Sequence, residues 1–519
     1  MLKRTEEPSW NLNYYWIAIS LRLLIVLTST SFIHPDEHFQ NTEIAIDDVF
    51  KLSSHQTRTW EWDPLRFSDY AIGGGPVRSI VPVWLTSHFG LYVLKLLHAC
   101  GMVDISTRSL VIFPRLVLFL LSLLVDRLVI RFVQSPSIQL LHAFSLHSLL
   151  FMCRTFSNSL ESLLFTSVFL LSLSISDPRN RASLTSVIAW ALLNVFTVWV
   201  RVSYVCFAFP VVLMVGYTRL FRSPALFFTA GATALLGMMI LILFDCLYFG
   251  RWPTVTPISL LLYNLDKRNL AQHGTHPRYL HLLVNGPIMF GPALWFTAWC
   301  QIWTRLKLSP TIVKLSIASL ISGTFLLSIQ PHQEARFLLP LVFPLTILCS
   351  QSVTNSRSSK FGRVFWFAHL LHSVITVILF GYLHQGGLQS ALRVLPANTR
   401  ILMSYKTFDI PSSLITSAQL SEVKNLRGAT EETLAKTLCD IFSSDKEQQI
   451  VLLAPRWALS PRLKDRFKLL FSSTIPHLDL DRLDEIFNAG PSRSGLGLYE
   501  IPQLNIKASG LCELKHGLL

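Results

Sequence analysis

Residues 12–33, LNYYWIAISLRLLIVLTSTSFI, run without a break into His34-Pro35-Asp36-Glu37-His38-Phe39-Gln40. The first stretch is long enough to cross a bilayer, which needs about 20 apolar residues. The second places two adjacent carboxylates between two histidines at the point where that helix leaves the membrane. Pro35 ends a helix by removing a donor and clashing with the preceding turn, so a polar cap is one reading. The other is chemistry on a substrate held at the membrane surface. A carboxylate there can accept a proton from an incoming hydroxyl. The two carboxylates cannot be ordered from the sequence.

The rest of the chain repeats the first half of this pattern. Of its 519 residues 51% are hydrophobic and only 15% are charged, against about 25% in soluble domains. This is a polytopic membrane protein. The expected spans, about eleven by the 20-residue criterion, lie at residues 12–33, 80–98, 110–133, 160–176, 184–200, 202–218, 224–248, 282–302, 312–330, 336–354 and 362–383. The apolar segment 138–153 is short, and charge parity closes only if it does not cross. The formal charge of +14 does not call for nucleic acid, because Lys and Arg gather in short clusters between apolar runs, as cytoplasmic loops do. Lys3 and Arg4, Arg179 and Arg181, Arg219 and Arg222, and Arg305 and Lys307 mark that side. The loop 34–79 instead carries eight acids and four bases and is expected on the lumenal side. The eight cysteines show no metal or disulfide spacing.

Under this topology four polar islands share the lumenal face: 34–79, 154–161, 248–281 and 330–336. Polar groups near membrane depth are costly unless they pair or line a wet cavity, and several on one face suggest one site. In the first island Phe39, Ile44, Ile46, Val49, Phe50 and Leu52 give an apolar side to what reads as an interfacial helix. Trp60 offers an interfacial anchor or a platform for a sugar ring, beside Glu61. Arg78 offers a fork for a lipid phosphate. Arg154, Asn158 and Glu161 fall on one helical face by their spacing of four and three. Arg201, between two apolar runs, is ambiguous by charge. His273, His276, Arg278 and His281 form a dense polar loop with no acid close by, so phosphate or sugar binding is favoured over a metal. His332, Glu334 and Arg336 open the next apolar run. Asp479-Leu480-Asp481 is a tripeptide common by chance and reads as structural, or as support for the catalytic loop. Residues 385–519 are mostly polar, with short apolar runs at 399–405, 449–453 and 496–501 and a helical stretch at 427–443. This is a small α/β domain by its alternation, giving domains at 1–384 and 385–519.

Taken in order, these motifs resemble glycosyltransferase family 22, the polytopic mannosyltransferases that use dolichyl-phosphate-mannose. The resemblance rests on His34–Gln40, Thr59–Trp62, Pro76–Ser79, Arg154–Glu161, Tyr263–His281 and His332–Pro340 and covers nearly the whole chain. His34–Gln40, together with His384-Gln385-Gly386-Gly387 and His477–Asp481, is most similar to the branch that adds the fourth mannose of the glycosylphosphatidylinositol (GPI) precursor. Siblings that add the third GPI mannose or build the lipid-linked N-glycan share most of these motifs. The resemblance implies an all-α membrane bundle of the C-type glycosyltransferase fold, with a small α/β domain after it. It implies an inverting, metal-independent transfer in the endoplasmic reticulum. The partners would be dolichyl-phosphate-mannose, the GPI glycolipid and membrane lipids. Asp36 or Glu37 would be the base. His34, His38, Gln40, Trp60, Glu61, Arg78, Arg154, Asn158, His273, His276, Arg278, His332, Glu334 and Arg336 would bind substrate. Two other classes are open. A lipid transporter would use charges inside spans, such as Arg22, Asp126, Arg127 and Asp245. A non-catalytic subunit would not need the Asp36–Glu37 pair.

Overall fold

The computed structural model describes residues 11–51, 58–63, 75–266, 269, 274–305, 310–354, 360–416, 420–443, 449–490 and 493–502. Every expected span contains helix within them. Among the described residues six helices are long and apolar enough to cross a membrane: Thr107–Phe132, Ser157–Ser176, Tyr204–Arg222, Pro224–Phe249, Thr311–Ile329 and Lys360–Leu383. The remaining expected spans are met by shorter or interrupted helices, so about eleven spans is a coarser match than the sequence suggests. Asn11–Thr28 stops well before Ile33, because Thr28-Ser29-Thr30-Ser31 favours alternatives to the helix. Val81–Ala99 is continuous but passes through a wide turn at Trp84–His88. The 282–302 run is broken at Gly291, whose φ is +84°. Pro292 then opens a new helix, Pro292–Arg305. Pro224–Phe249 is apolar all round and exposes Phe228, Leu236, Leu243 and Leu247. Such a surface is stable against lipid and not against water.

The segment 138–153 divides into Pro136–Ala143, Leu146–Leu149 and Phe151–Cys153. The longest of these has 8 residues, about 12 Å at 1.5 Å per residue, and cannot span about 30 Å of hydrocarbon. The pieces are buried.

The chain packs as two compact units. The first comprises Met1–Leu27, Thr59–Ser87 and Arg115–Ile375; the second, Thr28–Arg58, His88–Pro114 and Thr376–Leu519. In the first, the charges inside spans are spent on each other. Arg22 donates to Asp126 at 2.7 Å and to Ser122 at 2.8 Å, with both ionised side chains almost wholly buried. Asp245 accepts from Ser79 Oγ at 2.8 Å, from the Ile80 amide at 3.1 Å and from Thr256 at 3.2 Å. These groups tie the bundle together, which answers the transporter reading for three of its four charges. Arg127 is exposed. Removing one member of a buried pair strands the other, at a cost of about 3–5 kcal/mol. Arg22→Leu is therefore expected to lower the unfolding temperature of the purified protein markedly. Arg22→Met with Asp126→Leu should recover most of the loss, and an equal loss in the double variant would contradict the pairing.

In the second unit a five-stranded sheet forms from β1 (Ile401–Ser404), β2 (Glu422–Asn425), β3 (Ile450–Pro455), β4 (Lys468–Ser472) and β5 (Leu496–Glu500). The order is β2-β1-β3-β5-β4, with β1 parallel to β2 and β3 and with β5 antiparallel to β3 and β4. Helix Glu431–Ser443 buries Leu434, Leu438 and Phe442 in a core with Met403, Leu452 and Tyr499. The first-loop segment packs in this same unit. Its helices, His38–Thr42 and Glu43–Phe50, are buried on their polar side as well as their apolar one. The Glu43 carboxylate accepts from Ser412 Oγ at 2.9 Å and the Ser413 amide at 3.1 Å, and also from Ser413 Oγ. Asp48 meets His88 at 3.0 Å. The expected interfacial helix is thus a protein-packed one, because the partners of its acids lie far along the chain. Leu52 is outside the described residues.

Candidate active site

The carboxylate pair sits in the second unit, just after an extended segment. The Ser31 and Phe32 amides donate to the carbonyls of Gly381 and His384, each at 3.3 Å. Pro35 starts a turn, with Glu37 and His38 amides returning to His34 and Pro35 carbonyls at 3.1 and 3.0 Å. The two carboxylates then part company. The Asp36 side chain is 27% exposed, and its Oδ1 lies 3.5 Å from His34 Nδ1, which also accepts the Asp36 amide at 3.2 Å. Glu37 is wholly buried. Only Asp36 is open to a substrate, with an imidazole beside it to orient it. His38 is buried, bonded to Thr42 at 2.9 Å and packed on Phe32 with ring centres 4.8 Å apart. Gln40 is buried.

The motif His384–Gly387 meets His477–Asp481 in the same unit. The Gln385 amide donates to Leu478 O and the Leu478 amide to Leu383 O, both at 2.9 Å. A Cβ on Gly386 would fall 2.0 Å from the Tyr382 carbonyl oxygen, so the close approach requires glycine. Burial lowers the imidazole pKa of His384 to about 4 and of His477 to about 3, so both are neutral packing groups.

The cations converge in the first unit. Arg78 forks onto Glu61 Oε1 through Nε at 3.0 Å and Nη2 at 2.9 Å. Its Nη1 reaches Ser157 Oγ at 3.4 Å. The same hydroxyl accepts from Arg201 Nη1 at 3.0 Å. Arg201 lies 3.3 Å from Glu161 Oε2, and Ser203 bridges them by donating to Glu161 at 2.7 Å while accepting from Arg201 Nε at 3.2 Å. Phe337 stacks under Arg201 at 5.3 Å and lies 5.9 Å from Arg336. Glu334 then joins Arg336 to His332, the latter at 2.8 Å. The His332 ring lies 5.8 Å from that of His276, whose Nδ1 accepts from the Gln333 amide at 3.2 Å. Burial, with Arg78 and Arg336 nearby and only partly offset by Glu161, brings the Arg201 guanidinium down to about 10. Each of the three guanidiniums is paired with a carboxylate, Arg78 with Glu61, Arg201 with Glu161 and Arg336 with Glu334, so the cluster holds its cations fixed in place.

Arg201 is the residue the sequence left undecided. It caps helix Leu184–Val200 in extended backbone, and Tyr204 starts the next helix three residues on. A short turn between two apolar runs displays no charge asymmetry, so only the fold brings it to Ser157. Glu161 likewise bonds Arg201 and Ser203, rather than standing out by its spacing from Arg154. Arg154 and Asn158 are both buried, but Arg154 is in extended backbone before helix Ser157–Ser176 while Asn158 lies in its first turn, so the expected single helical face does not reach Arg154. Trp60 stacks on Tyr263, with ring centres 4.2 Å apart and planes at 23°. Arg278 is exposed and donates to the Ile329 carbonyl. His273 lies outside the described residues. Among the described residues no group of three His, Cys, Asp or Glu side chains is placed to hold a metal ion.

The fold is shared with ArnT from Cupriavidus metallidurans. In the apo state that structure matches with TM-score 0.58 at 12% identity, over 96% of this chain and 98% of that one. Bound to undecaprenyl phosphate it matches with TM-score 0.55. The GPI mannosyltransferase 4 of Yarrowia lipolytica is 30% identical over 98% of this chain and 99% of its own length. The human GPI alpha-1,2-mannosyltransferase 4 is 32% identical over 73% and 70%. Residues 13–416 match the model of the Alg9-like mannosyltransferase family. With most of its length inside that match, this chain belongs to the Alg9-like mannosyltransferase family.

Proposed function

We propose that this protein adds the fourth mannose to the GPI precursor, in α-1,2 linkage, from dolichyl-phosphate-mannose. The observation that carries the reading is the near full-length similarity to the Yarrowia GPI mannosyltransferase 4. A β-linked donor and an α-linked product require inversion at C1. The 2-hydroxyl oxygen of the third mannose attacks C1 as the bond to the phosphate oxygen breaks. The bonding pair leaves on dolichyl phosphate, and the hydroxyl proton goes to Asp36. The exposure of Asp36 beside His34, against the burial of Glu37, supports this assignment.

The departing phosphate gains charge as the bond breaks. Fixed cations aimed at developing charge are worth more than mobile ones, because they need no reorganisation at that moment. Arg78, Arg201 and Arg336 take this role, with His332 and His276 beside them. Serving in place of a divalent cation, they make the transfer metal-independent. Trp60 and Tyr263 contribute an apolar face for a sugar or lipid segment. The enzyme works in the endoplasmic reticulum membrane with its site lumenal.

The sibling reactions are separated by an acceptor panel. Purified protein with dolichyl-phosphate-mannose should extend a three-mannose GPI lipid, and the added residue should be released by an α-1,2-specific mannosidase. Extension of the two-mannose GPI lipid or the lipid-linked N-glycan precursor instead would overturn the acceptor assignment.

A further inference from the structure

The second unit holds a cavity of about 290 Å³ that the transfer step does not use. It lies where parallel strands β1 and β2 end. Lys406, Phe408 and Asp409 come from the segment leaving β1, and Arg427 from the one leaving β2. Asp481 and Arg482 close the side, and Pro35 forms another wall. Ligands of open α/β sheets gather at this edge, because the loops leaving the carboxyl ends of the strands carry side chains into one crevice. The backbone marks the same place. Lys406 and Arg427 both adopt left-handed conformations, φ 50° and 42°, and the Lys406 amide donates to the Arg427 carbonyl at 2.6 Å. Non-glycine residues persist there only when their surroundings hold them, and such positions cluster at ligand sites.

The cavity wall is joined to the segment that carries Asp36. The Phe408 ring lies 5.6 Å from Phe32, 6.4 Å from His34 and 5.5 Å from His384. Its charged side chains are already positioned. Arg427 forks onto Asp409 at 2.8 Å, Lys406 reaches Glu485 at 2.6 Å, and Arg482 lies 3.4 Å from Glu485. Cations and carboxylates alternate around the space, so neither a free anion nor a free cation is favoured. A neutral polyol fits both signs. Its hydroxyls donate to Asp481 and accept from Arg482 and Lys406, while a C–H face lies on Phe408. The volume is at the small end of the roughly 300–1,000 Å³ range of small-molecule sites, suited to a sugar ring and not to a polyprenyl tail.

We propose that this cavity binds a hexopyranose ring of the acceptor glycan. This rests on Asp36 being the base, since it is the adjacency of Pro35 that makes the ligand an acceptor sugar. Asp481 is exposed, so Asp481→Asn and Asp481→Ala should fold.

The test uses full-length protein in detergent, with α-1,2-mannobiose as a binding probe followed by saturation-transfer NMR and with transfer kinetics alongside. Asp481→Asn is expected to weaken the mannobiose signal and raise the acceptor KM roughly tenfold, with the donor KM and kcat within about twofold. Absence of a mannobiose signal in the wild type, or an unchanged acceptor KM in both Asp481 variants, would overturn the proposal. Asp36→Asn separates the two readings. If it transfers normally while Asp481→Asn still raises the acceptor KM, the base assignment fails and the cavity stands. If it is inactive while both Asp481 variants behave as wild type, the base stands and the cavity fails.

Discussion

Asp36→Asn is expected to lower kcat by about 10²–10⁴-fold, the usual contribution of a positioned general base. Asparagine keeps the shape and can still take a hydrogen bond from a substrate hydroxyl, but it cannot take the proton. The loss should therefore fall on kcat, with the acceptor and donor KM values little changed. Glu37→Gln tests the division between the two carboxylates. Glu37 is wholly buried, so its substitution should act through stability, lowering the yield or unfolding temperature, with kcat per folded molecule retained. The opposite pattern, a silent Asp36→Asn and an inactive but well-folded Glu37→Gln, would exchange their roles.

Arg201→Lys has the second largest expected effect. Lysine keeps the charge but replaces a planar fork with a single ammonium, and it cannot serve Ser157, Ser203 and Glu161 together, as Nη1 and Nε of Arg201 do. Loss of one donor to a developing oxyanion costs about 10²–10³-fold in kcat. Donor turnover should fall by that order while the acceptor KM is unchanged. Arg78→Lys, at the other end of the shared Ser157 contact, should fall by less. Because these two cations meet one hydroxyl, the double variant should lose less than the product of the single losses. Fully multiplicative losses would show that the two act on separate groups. Arg201→Ala is a poorer probe, since it leaves Glu161 buried without its cation, and unfolding would mask the chemistry.

How far the sequence anticipates this structure depends on the range of the interaction concerned. Helices are legible because twenty apolar residues carry the signal locally, and each expected span contains helix. Asp36 and Glu37 stand out because two adjacent acids at a membrane exit need a reason. What escapes is set by partners far away in the chain. Glu43 and Asp48 look like the polar side of an interfacial helix until Ser412, Ser413 and His88 satisfy them. Arg201 has no local signature, since its meaning comes from Ser157 and Phe337. β2 is Glu422-Val423-Lys424-Asn425, four residues with no apolar face, formed because β1 beside it offers a parallel partner. The break at Gly291 reads in sequence as one permissive residue within an apolar run, and only its φ of +84° shows that it ends a helix. The Asp479–Asp481 tripeptide, common by chance and read as structural or as support for the catalytic loop, lines one cavity with Lys406 and Arg427, which no local pattern announces.

The central claim is metal-free mannosyl transfer from a polyprenyl phosphate donor with Asp36 as base. The most direct measurement incubates purified protein with dolichyl-phosphate-mannose and a three-mannose GPI lipid in the presence of EDTA, with Asp36→Asn in parallel, and determines the linkage and anomeric configuration of the product. The account predicts an α-1,2-linked fourth mannose from the wild type, undiminished by EDTA, and almost none from the variant. No product from well-folded wild type, a β-linked product, or equal transfer by Asp36→Asn would contradict it.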